Sequence, residues 1–166
     1  AHVPVRNWAS PAPGTTTGSV VSSIDIAPTF LSLAGVEVSS SFQGVSFGAV
    51  LKDPRAEVRH HAFAEHNWHD YEAHGRAVRT ARHLLIKNFS PESPWQGPAD
   101  SVRSASHRQL LKARDEGKLT EAQRDVFLSP RPRIELYDVI ADPHQLRNLA
   151  GTLGYSAVER HLSDVL

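Results

Sequence analysis

A two-residue alternation of side chains, repeated in three neighbouring segments, is the feature that most constrains the fold. Residues 58–64, 76–81 and 83–88 each alternate, and in the last segment Leu84 and Ile86 fall on the same side. Successive side chains of a β-strand point to opposite faces of its sheet, so a period of two indicates strands that are covered on one face. Three short strands in succession predict an antiparallel sheet.

The segment between the first two predicted strands, Glu65–His74, is rich in histidine and aromatic residues. We expect a polar connection carrying His66, His69 and His74, and such connections on a rigid sheet often hold binding residues. Solvation or structural hydrogen bonding also explains these histidines, and the residues alone favour that interpretation over contact with a substrate. His66 and His69 lack a carboxylate or thiol set to complete a metal site, and the prediction is that no metal binds here.

Composition removes several classes of function. The chain has 166 residues, with 18 basic and 18 acidic side chains, so it lacks the positive charge typical of nucleic-acid or anionic-membrane binding. No apolar run is long enough to span a membrane. There is no cysteine, which excludes disulfides, zinc–thiolate sites and a cysteine nucleophile. The chain contains no methionine and starts at Ala1, and we expect it to be trimmed or a piece of a longer protein.

The clearest predicted helix follows Ile24. Asp25 is a suitable N-cap and Gly35 a suitable terminator. Ile26 and Phe30 recur at helical spacing within a segment that is apolar on nearly all sides, so we expect the helix to be packed between layers.

The other predicted elements are short. We expect an edge strand at 2–6, a strand at 19–22, a brief helix at 47–51 capped by Ser46, a surface helix at 101–117, a helix at 120–127 capped by Thr120, a strand at 134–139 and a helix at 155–166 with the apolar stripe Val158, Leu162 and Val165. The four strands near 58–64, 76–81, 83–88 and 134–139 indicate a compact α+β unit that follows a helix-flanked sheet fragment.

Four groups of residues, in this order, resemble the C-terminal portion of a sulfatase of the alkaline-phosphatase superfamily. Val21–Val36 resembles the family's Ser/Asp-x-Pro-Thr-x-Leu-x-Leu-x-Gly helix, and Gln43–Phe47 its Gln-Gly-x-Ser-Leu turn. The remaining two are Arg76–Thr80 with Lys87, similar to paired Arg-x-Val-Arg…Lys strands, and Glu135–Asp138 with Asp142-Pro143 and Asn148–Ala150, similar to the C-terminal signature. The His-rich segment and the helical insertion before Glu135 look most like the heparan N-sulfatase (sulfoglucosamine sulfohydrolase) branch.

The resemblance implies an α/β, alkaline-phosphatase-like fragment. Residues 1–54 would be the tail end of the large α/β sulfatase domain. Residues 55–166 would form the C-terminal α+β subdomain, with a four-stranded antiparallel sheet and a packed C-terminal helix.

The resemblance also implies where catalysis resides. Sulfatases use a formylglycine made from Cys or Ser in a Cys/Ser-x-Pro-x-Arg motif, with a divalent cation, usually calcium, held by Asp and Asn. In Ser129–Arg133 the proline is out of register for this motif. Formylglycine and calcium are therefore expected in the N-terminal part before Ala1, and this chain alone is expected to be inactive. Its expected partners are that N-terminal catalytic domain and a sulfated saccharide, with no nucleic acid and no membrane span.

In the N-sulfatase branch the histidine-containing segment before the Arg-x-Val strand faces the substrate pocket. The resemblance therefore makes His66, the best match, and the adjacent Asn67 candidates for substrate binding. His69 of the same segment is a further candidate, although it has no clear counterpart in the family. The resemblance assigns no catalytic residue or metal ligand. Arg76 and Arg79 are expected to pair with acidic residues across the sheet.

Two other functions remain open on the sequence. One is a non-catalytic carbohydrate-binding or interaction module, in which Trp68, Tyr71 and Trp95 stack on sugar rings. The other is a phosphoester or phosphonate hydrolase of the same superfamily.

Overall fold

A computed structural model describes residues 14–93 and 97–166. The predicted edge strand at 2–6 and the side chain of Trp95 lie outside these residues. The described residues form two compact units, the first comprising residues 14–62 and 79–81 and the second residues 63–78, 82–93 and 97–166. Within the described residues, no helix is both long and apolar enough to cross a membrane.

The helices and strands are short and are named here in chain order. They are α1 (Ile26–Leu33), β1 (Ala62–Trp68), β2 (Glu72–Arg79), β3 (His83–Asn88), α2 (Ala99–Val102), α3 (Ala105–Asp115), α4 (Glu121–Arg124), β4 (Ile134–Asp138) and α5 (Ser156–Val165), with single 3-10 turns at Ser23–Asp25, Asp125–Phe127 and Leu153–Tyr155.

The first unit is built around α1, and the predicted helix is confirmed. Gly35, at a φ of 72°, ends it, and the Val36 N–H returns to the Leu31 carbonyl at 2.9 Å. Asp25 occupies the N-cap position, but its side chain caps no amide of α1. Its carboxylate instead accepts from the backbone amides of Ser22 and Val45, both at 2.8 Å, and from the Arg59 guanidinium.

The expectation that α1 is packed on nearly all sides is not met within the described chain. Pro28 and Thr29 are buried, whereas Ile26 is 46% exposed and Phe30 is 67% exposed. Among the described residues of the first unit no second layer covers this side of α1, so its apolar surface faces outward.

The turn at residues 43–47 is tied to the start of α1. The Phe47 N–H donates to the Thr29 hydroxyl at 2.9 Å. A Cβ added to Gly44 would lie 1.9 Å from the Ile24 carbonyl oxygen, so only glycine fits this close approach.

The predicted helix at 47–51 is wrong, because the segment forms consecutive turns. The Val50 N–H bonds the Phe47 carbonyl at 2.9 Å, and the Ser46 hydroxyl accepts from the Gly48 N–H at 3.2 Å. Five residues that include a glycine are too few to sustain helical bonding. The predicted strand at 19–22 is reduced to one antiparallel bridge between Val20 and Arg59.

Among the described residues the second unit contains a four-stranded sheet in the order β1-β2-β3-β4. Three-residue connections join β1 to β2 and β2 to β3, which requires antiparallel neighbours. The pairing of β3 with β4 is antiparallel, with Leu85 opposite Leu136 and Lys87 opposite Ile134. The predicted antiparallel sheet is confirmed.

The first predicted strand is misplaced by four residues. β1 starts at Ala62 and runs to Trp68, and β2 starts at Glu72, so most of the segment predicted as a polar connection is strand. Most of the β1 side chains are exposed, so polar and aromatic residues alternate there without an apolar face to reveal the strand.

The core of the second unit lies between the sheet and α5. Val78, Leu85, Leu136, Leu149 and Leu162 are the buried members, and Val158 and Val165 pack against them. The predicted stripe of the C-terminal helix is confirmed. The Lys87 ammonium also donates to the Ser163 carbonyl at 3.0 Å, which joins β3 to α5.

The segment between β3 and β4 contains α2, α3 and α4, joined by turns and irregular chain. The single helix predicted at 101–117 is divided into α2 and α3, because Ser104 breaks it and accepts from the His107 N–H at 3.1 Å as an N-cap. The predicted cap at Thr120 is confirmed, with a reciprocal bond between the Thr120 N–H and the Gln123 side chain at 2.9 Å.

Candidate functional site

The β1–β2 hairpin contains the three residues predicted to contact substrate. His66 and Asn67 lie on β1, and His69 lies in the tight turn. Because consecutive strand residues point to opposite faces, the side chains of His66 and Asn67 leave the sheet on opposite sides.

Asn67 belongs to a polar triangle on one face of the hairpin. Its amide oxygen accepts from Arg76 Nη1 at 2.7 Å, and its Nδ2 donates to Glu65 Oε2 at 3.4 Å. Arg76 Nη2 lies 3.4 Å from the same Glu65 oxygen. The predicted cross-strand ion pair of Arg76 is confirmed, and it holds the Asn67 amide in a fixed orientation.

Arg79 does not follow the same prediction. The described contact of its guanidinium is with the Thr80 carbonyl, at 2.8 Å, rather than with an acidic residue. The adjacent backbone carbonyl competes with acidic side chains for the guanidinium of Arg79. The spacing of residues in the sequence does not reveal this competition.

His69 belongs to a second polar group at the tip of the hairpin. Its Nδ1 lies 3.0 Å from Asp70 Oδ2, and that oxygen also accepts from the Ala99 N–H at 2.6 Å. The Ala99 amide and, secondarily, His69 hold the pKa of the Asp70 carboxyl below its usual value. The His69 side chain is 64% exposed, so the ring presents its other edge to solvent.

His66 is half-buried on β1, and Trp68, on the same side of the strand, is 68% exposed. His74 is occupied differently, because its ring stacks on Phe89 with centroids 4.5 Å apart. The structure therefore places Asn67, His69 and His66 on one hairpin but not on one face. Together they offer hydrogen-bonding groups at the two sides and the tip of the hairpin.

The described residues contain no group of three or more His, Cys, Asp or Glu side chains that could hold a metal ion. The chemistry available at the hairpin is hydrogen bonding to a polar ligand by amide, imidazole and guanidinium groups.

The sequence interpretation missed a buried polar network on the other side of the sheet from α5. Arg131 donates through Nε to Glu135 Oε1 at 3.2 Å and through Nη2 to Asp125 Oδ1 at 3.2 Å. The Tyr137 hydroxyl donates to Glu135 Oε2 at 2.5 Å, and the Asn88 amide donates to Glu135 Oε1 at 2.7 Å. The sequence did contain one sign of this network, because Arg131 precedes Glu135 by only four residues.

The network keeps Glu135 ionised. Burial pushes the pKa of its carboxyl upward, but hydrogen bonds from Arg131 and Tyr137 outweigh burial and hold the pKa below its usual value. Burial and the bond to Glu135 raise the pKa of Tyr137, so this hydroxyl stays protonated and remains a donor.

A second carboxylate, Asp138, anchors the turn after β4. It accepts from the Arg82 guanidinium at 2.9 Å and from the amides of Ile140 and Ala141, both at 3.1 Å. These donors lower the pKa of the Asp138 carboxyl to about 2, and the hydrogen bond from Arg82 contributes most. The carboxylate thereby fixes the chain direction that leads into Asp142 and Pro143.

Comparison with known proteins gives a consistent set of relatives. Residues 3–97 match the family described as N-sulphoglucosamine sulphohydrolase, C-terminal. The chain is 34% identical over 143 residues to an ulvan-active sulfatase of Formosa agariphila, covering 85% of this chain and 24% of that protein. It is 25% identical over 160 residues to an N-acetylglucosamine-6-O-sulfatase of Bacteroides thetaiotaomicron, covering 92% of this chain and 22% of that protein.

Solved structures give the same fold. One, a protein in complex with its substrate D-glucosamine-2-N,6-O-disulfate, superposes with a TM-score of 0.53 at 25% identity, over 86% of this chain and 22% of the other. A 2-O glycosaminoglycan sulfatase superposes with a TM-score of 0.54 at 21% identity, over 85% and 22%. The chain spans about a quarter of the length of the curated relatives it matches.

Proposed function

Because the chain belongs to the sulfatase family defined by the C-terminal part of N-sulphoglucosamine sulphohydrolase, we propose that it is the C-terminal part of an enzyme that hydrolyses sulfate esters or N-sulfate groups on a saccharide. The observation that carries the proposal is the family match over residues 3–97. Relatives named for ulvan and for N-acetylglucosamine-6-O-sulfate support a saccharide substrate.

The nucleophile and the metal of such an enzyme do not fit the residues of this chain. It contains no cysteine, and the serine at 129 is followed directly by proline instead of standing two residues before it. The metal-ligand clusters that a divalent cation needs are absent from residues 14–93 and 97–166. We therefore assign formylglycine and calcium to the part of the enzyme that precedes this chain, and no catalytic step to the residues described here.

The contribution proposed for this chain is substrate recognition by the β1–β2 hairpin. His66 and Asn67 would donate and accept hydrogen bonds to sugar hydroxyls or to the sulfate, and His69 would contribute from the tip. Arg76 and Glu65 fix the Asn67 side chain by hydrogen bonds. This supports the role, because a fixed amide loses little side-chain entropy when it binds a ligand.

The experiment uses the full-length protein that contains this chain. Sulfate release is measured from N-sulfoglucosamine and from N-acetylglucosamine-6-sulfate. As the competing chemistry, release of the leaving alcohol is measured from a phosphate diester and from a phosphonate monoester. We expect release of sulfate with added calcium by the full-length protein and none by residues 1–166 alone.

Three results decide between the functions. Turnover of the phosphorus substrates without sulfate release would replace the sulfatase with a phosphoester or phosphonate hydrolase. Saccharide binding by a natural product of 166 residues, without hydrolysis, would replace it with a binding module. Sulfate release by residues 1–166 alone, free of longer chains, would overturn the assignment of the nucleophile to the preceding part.

A further inference from the structure

Two adjacent side chains at the tip of the β1–β2 hairpin, His69 and Asp70, are bonded to each other and to the start of α2. Asp70 Oδ2 lies 3.0 Å from His69 Nδ1 and accepts from the Ala99 N–H at 2.6 Å. Arg103, directly after α2, is near enough for its charge to act on the same carboxyl. Because Ala99 is 29 positions away in the sequence, the carboxylate is held from two segments and cannot rotate away from the imidazole without losing its bond to α2.

The charge of Asp70 determines which nitrogen of His69 carries the proton. The hydrogen bond from the Ala99 amide, followed by that from His69, holds the pKa of the Asp70 carboxyl below its usual value, so the group is ionised at neutral pH. An ionised carboxylate only accepts hydrogen bonds. His69 Nδ1 must therefore donate, and in the neutral imidazole the lone pair then lies on Nε2.

His69 Nε2 is accessible to a ligand. No group of residues 14–93 and 97–166 bonds to this nitrogen, and the His69 side chain is 64% exposed. The aromatic residues that flank the pair in the chain, Trp68 and Tyr71, are 68% and 38% exposed. The tip of the hairpin thus presents a hydrogen-bond acceptor beside exposed aromatic rings, and such rings offer apolar surface to the C–H face of a sugar.

We propose that Asp70 is a positioning residue that fixes the His69 ring, so that Nε2 accepts a hydrogen bond from a hydroxyl or N–H group of the saccharide. The oxygens of an ionised sulfate are acceptors only, so a lone pair on Nε2 does not bind them, and His69 recognises the sugar and not its sulfate. The proposal rests on the proposed function in taking a sulfated saccharide as the ligand and the hairpin as its contact.

The first measurement is the tautomer of His69 in the full-length protein. ¹⁵N NMR spectra of protein labelled in its histidine rings distinguish Nδ1–H from Nε2–H, and His69→Gln identifies the His69 signals by their loss. We expect the Nδ1–H form in the wild type and a larger share of the Nε2–H form in Asp70→Ala. Glu72→Gln, at an exposed position of the same hairpin, is the matched control and should keep the wild-type spectrum. A dominant Nε2–H form in the wild type would overturn the proposal.

Two amide substitutions test which ring nitrogen contacts the saccharide. A Gln side chain places its amide near the position of Nε2, whereas an Asn side chain places it near the position of Nδ1. His69→Asn should lower kcat/KM by about threefold to tenfold, the scale of one lost neutral hydrogen bond, and His69→Gln should retain most of the wild-type value. Equal losses in the two variants, or the reverse order, would contradict a contact through Nε2.

A double substitution separates the positioning of His69 from the bond to α2. Asp70→Ala should lower kcat/KM by no more than His69→Asn does, and Asp70→Glu should recover part of the loss. In the His69→Asn background, Asp70→Ala should have no further effect on kcat/KM, because Asp70 acts through His69. A full additional loss in that background would show that Asp70 acts through Ala99 instead and would end its assignment as a positioning residue.

Analogues of the sugar identify the group that His69 contacts. Sulfate release is measured from whichever of N-sulfoglucosamine and N-acetylglucosamine-6-sulfate the full-length protein hydrolyses, and from analogues that lack one hydroxyl or the N–H at a time. The analogue without the contacted group should react equally with wild type and His69→Asn, and a difference that persists in every analogue overturns the contact.

The NMR signal also separates this proposal from the proposed function. If neither sugar is hydrolysed, the proposed function fails, but the tautomer of His69 and the response of its Nε2 signal to the two added sugars still test the role of Asp70. A shift of that signal in the wild type that is lost in Asp70→Ala supports the proposal, and an unshifted signal overturns it.

Discussion

Arg131 Nε lies 3.2 Å from Glu135 Oε1, and the two side chains are only 6% and 4% exposed. This pair joins the irregular segment before β4 to the strand itself. Ion pairs withdrawn from water stabilise a fold only when their remaining hydrogen-bonding groups are satisfied. Tyr137, Asn88 and Asp125 satisfy them here.

Replacing Arg131 with Met is expected to destabilise the second unit by about 3–5 kcal/mol, because it leaves the Glu135 carboxylate buried without its cation. Arg133→Met is the matched control, since Arg133 is 71% exposed, and it should change stability by less than about 0.5 kcal/mol. Urea unfolding measures both. Equal stability of the two variants would show that the buried pair contributes little.

Stability should fall as the solution is acidified, and Asp138 should carry part of this dependence. Its pKa lies at about 2 in the folded protein against a usual 3.8, so the folded state binds fewer protons between these values. The stabilisation is fully present above the usual value and is lost as pH falls through the folded one. Asp138→Asn should flatten the decline of the free energy of unfolding between about pH 4 and 2.

The control for this measurement is Asp164→Asn, at an exposed position near the end of α5. It should leave the wild-type pH profile in place. A profile for Asp138→Asn that is parallel to the wild type across the acidic range would contradict the role given to Asp138.

Gly44→Ala should destabilise the first unit by about 1–3 kcal/mol, the usual cost of forcing an extra carbon into a packed site. The added Cβ would meet the Ile24 carbonyl at 1.9 Å, and relief requires the turn to move away from α1. Gly18→Ala is the control, because nothing lies within 4 Å of its added Cβ. Hydrogen exchange of the Val45 and Phe47 amides reports the change locally, and unchanged protection in Gly44→Ala would refute the prediction.

His66→Ala in the full-length enzyme should lower kcat/KM by about tenfold to a hundredfold. That loss corresponds to about 1.4–3 kcal/mol of substrate or transition-state binding. The melting temperature should barely change. A structural histidine predicts the opposite pattern, with a lower melting temperature and normal kcat/KM in the surviving enzyme. His161→Ala, on the exposed side of α5, provides the comparison.

The isolated chain should bind a hydrophobic dye or self-associate. Ile24, Ile26 and Phe30 are 50%, 46% and 67% exposed in the first unit, and apolar surface of this kind is normally covered by a partner layer. Ile26→Ser combined with Phe30→Ser should reduce dye fluorescence without unfolding α1. A monomeric chain with low dye binding and one cooperative unfolding transition would argue that these residues need no partner.

The helix that buries an apolar stripe could be predicted from the sequence, and so could the number of strands and their antiparallel arrangement. Leu162 with Val158 and Val165 revealed α5, because three apolar positions at helical spacing have few other uses. Leu84 and Ile86 revealed β3. In contrast, most residues of β1 are exposed, so its two faces do not differ in hydrophobicity. The register of β1 therefore could not be predicted from the sequence.

The candidate site was predicted only at the level of the segment. His66, Asn67 and His69 lie on the predicted piece of chain, but the hairpin register sends the first two to opposite faces. The partners of Asn67 depend on which residue of β2 lies opposite, and only the folded sheet decides this. The Arg131 network escaped prediction because it unites Asn88 and Glu135, which are 47 positions apart.

The connection from β3 to β4 starts and ends at neighbouring points of the sheet, because Lys87 pairs with Ile134. Everything between them, including α2, α3 and α4, therefore emerges from and returns to one short edge. When the two ends of a connection are held together by paired strands, its length can change with a small cost in closure entropy and without disturbing the strand register. The length of the segment from α2 to α4 can thus change while β3 and β4 keep their register, provided that Arg131 keeps its bond to Glu135.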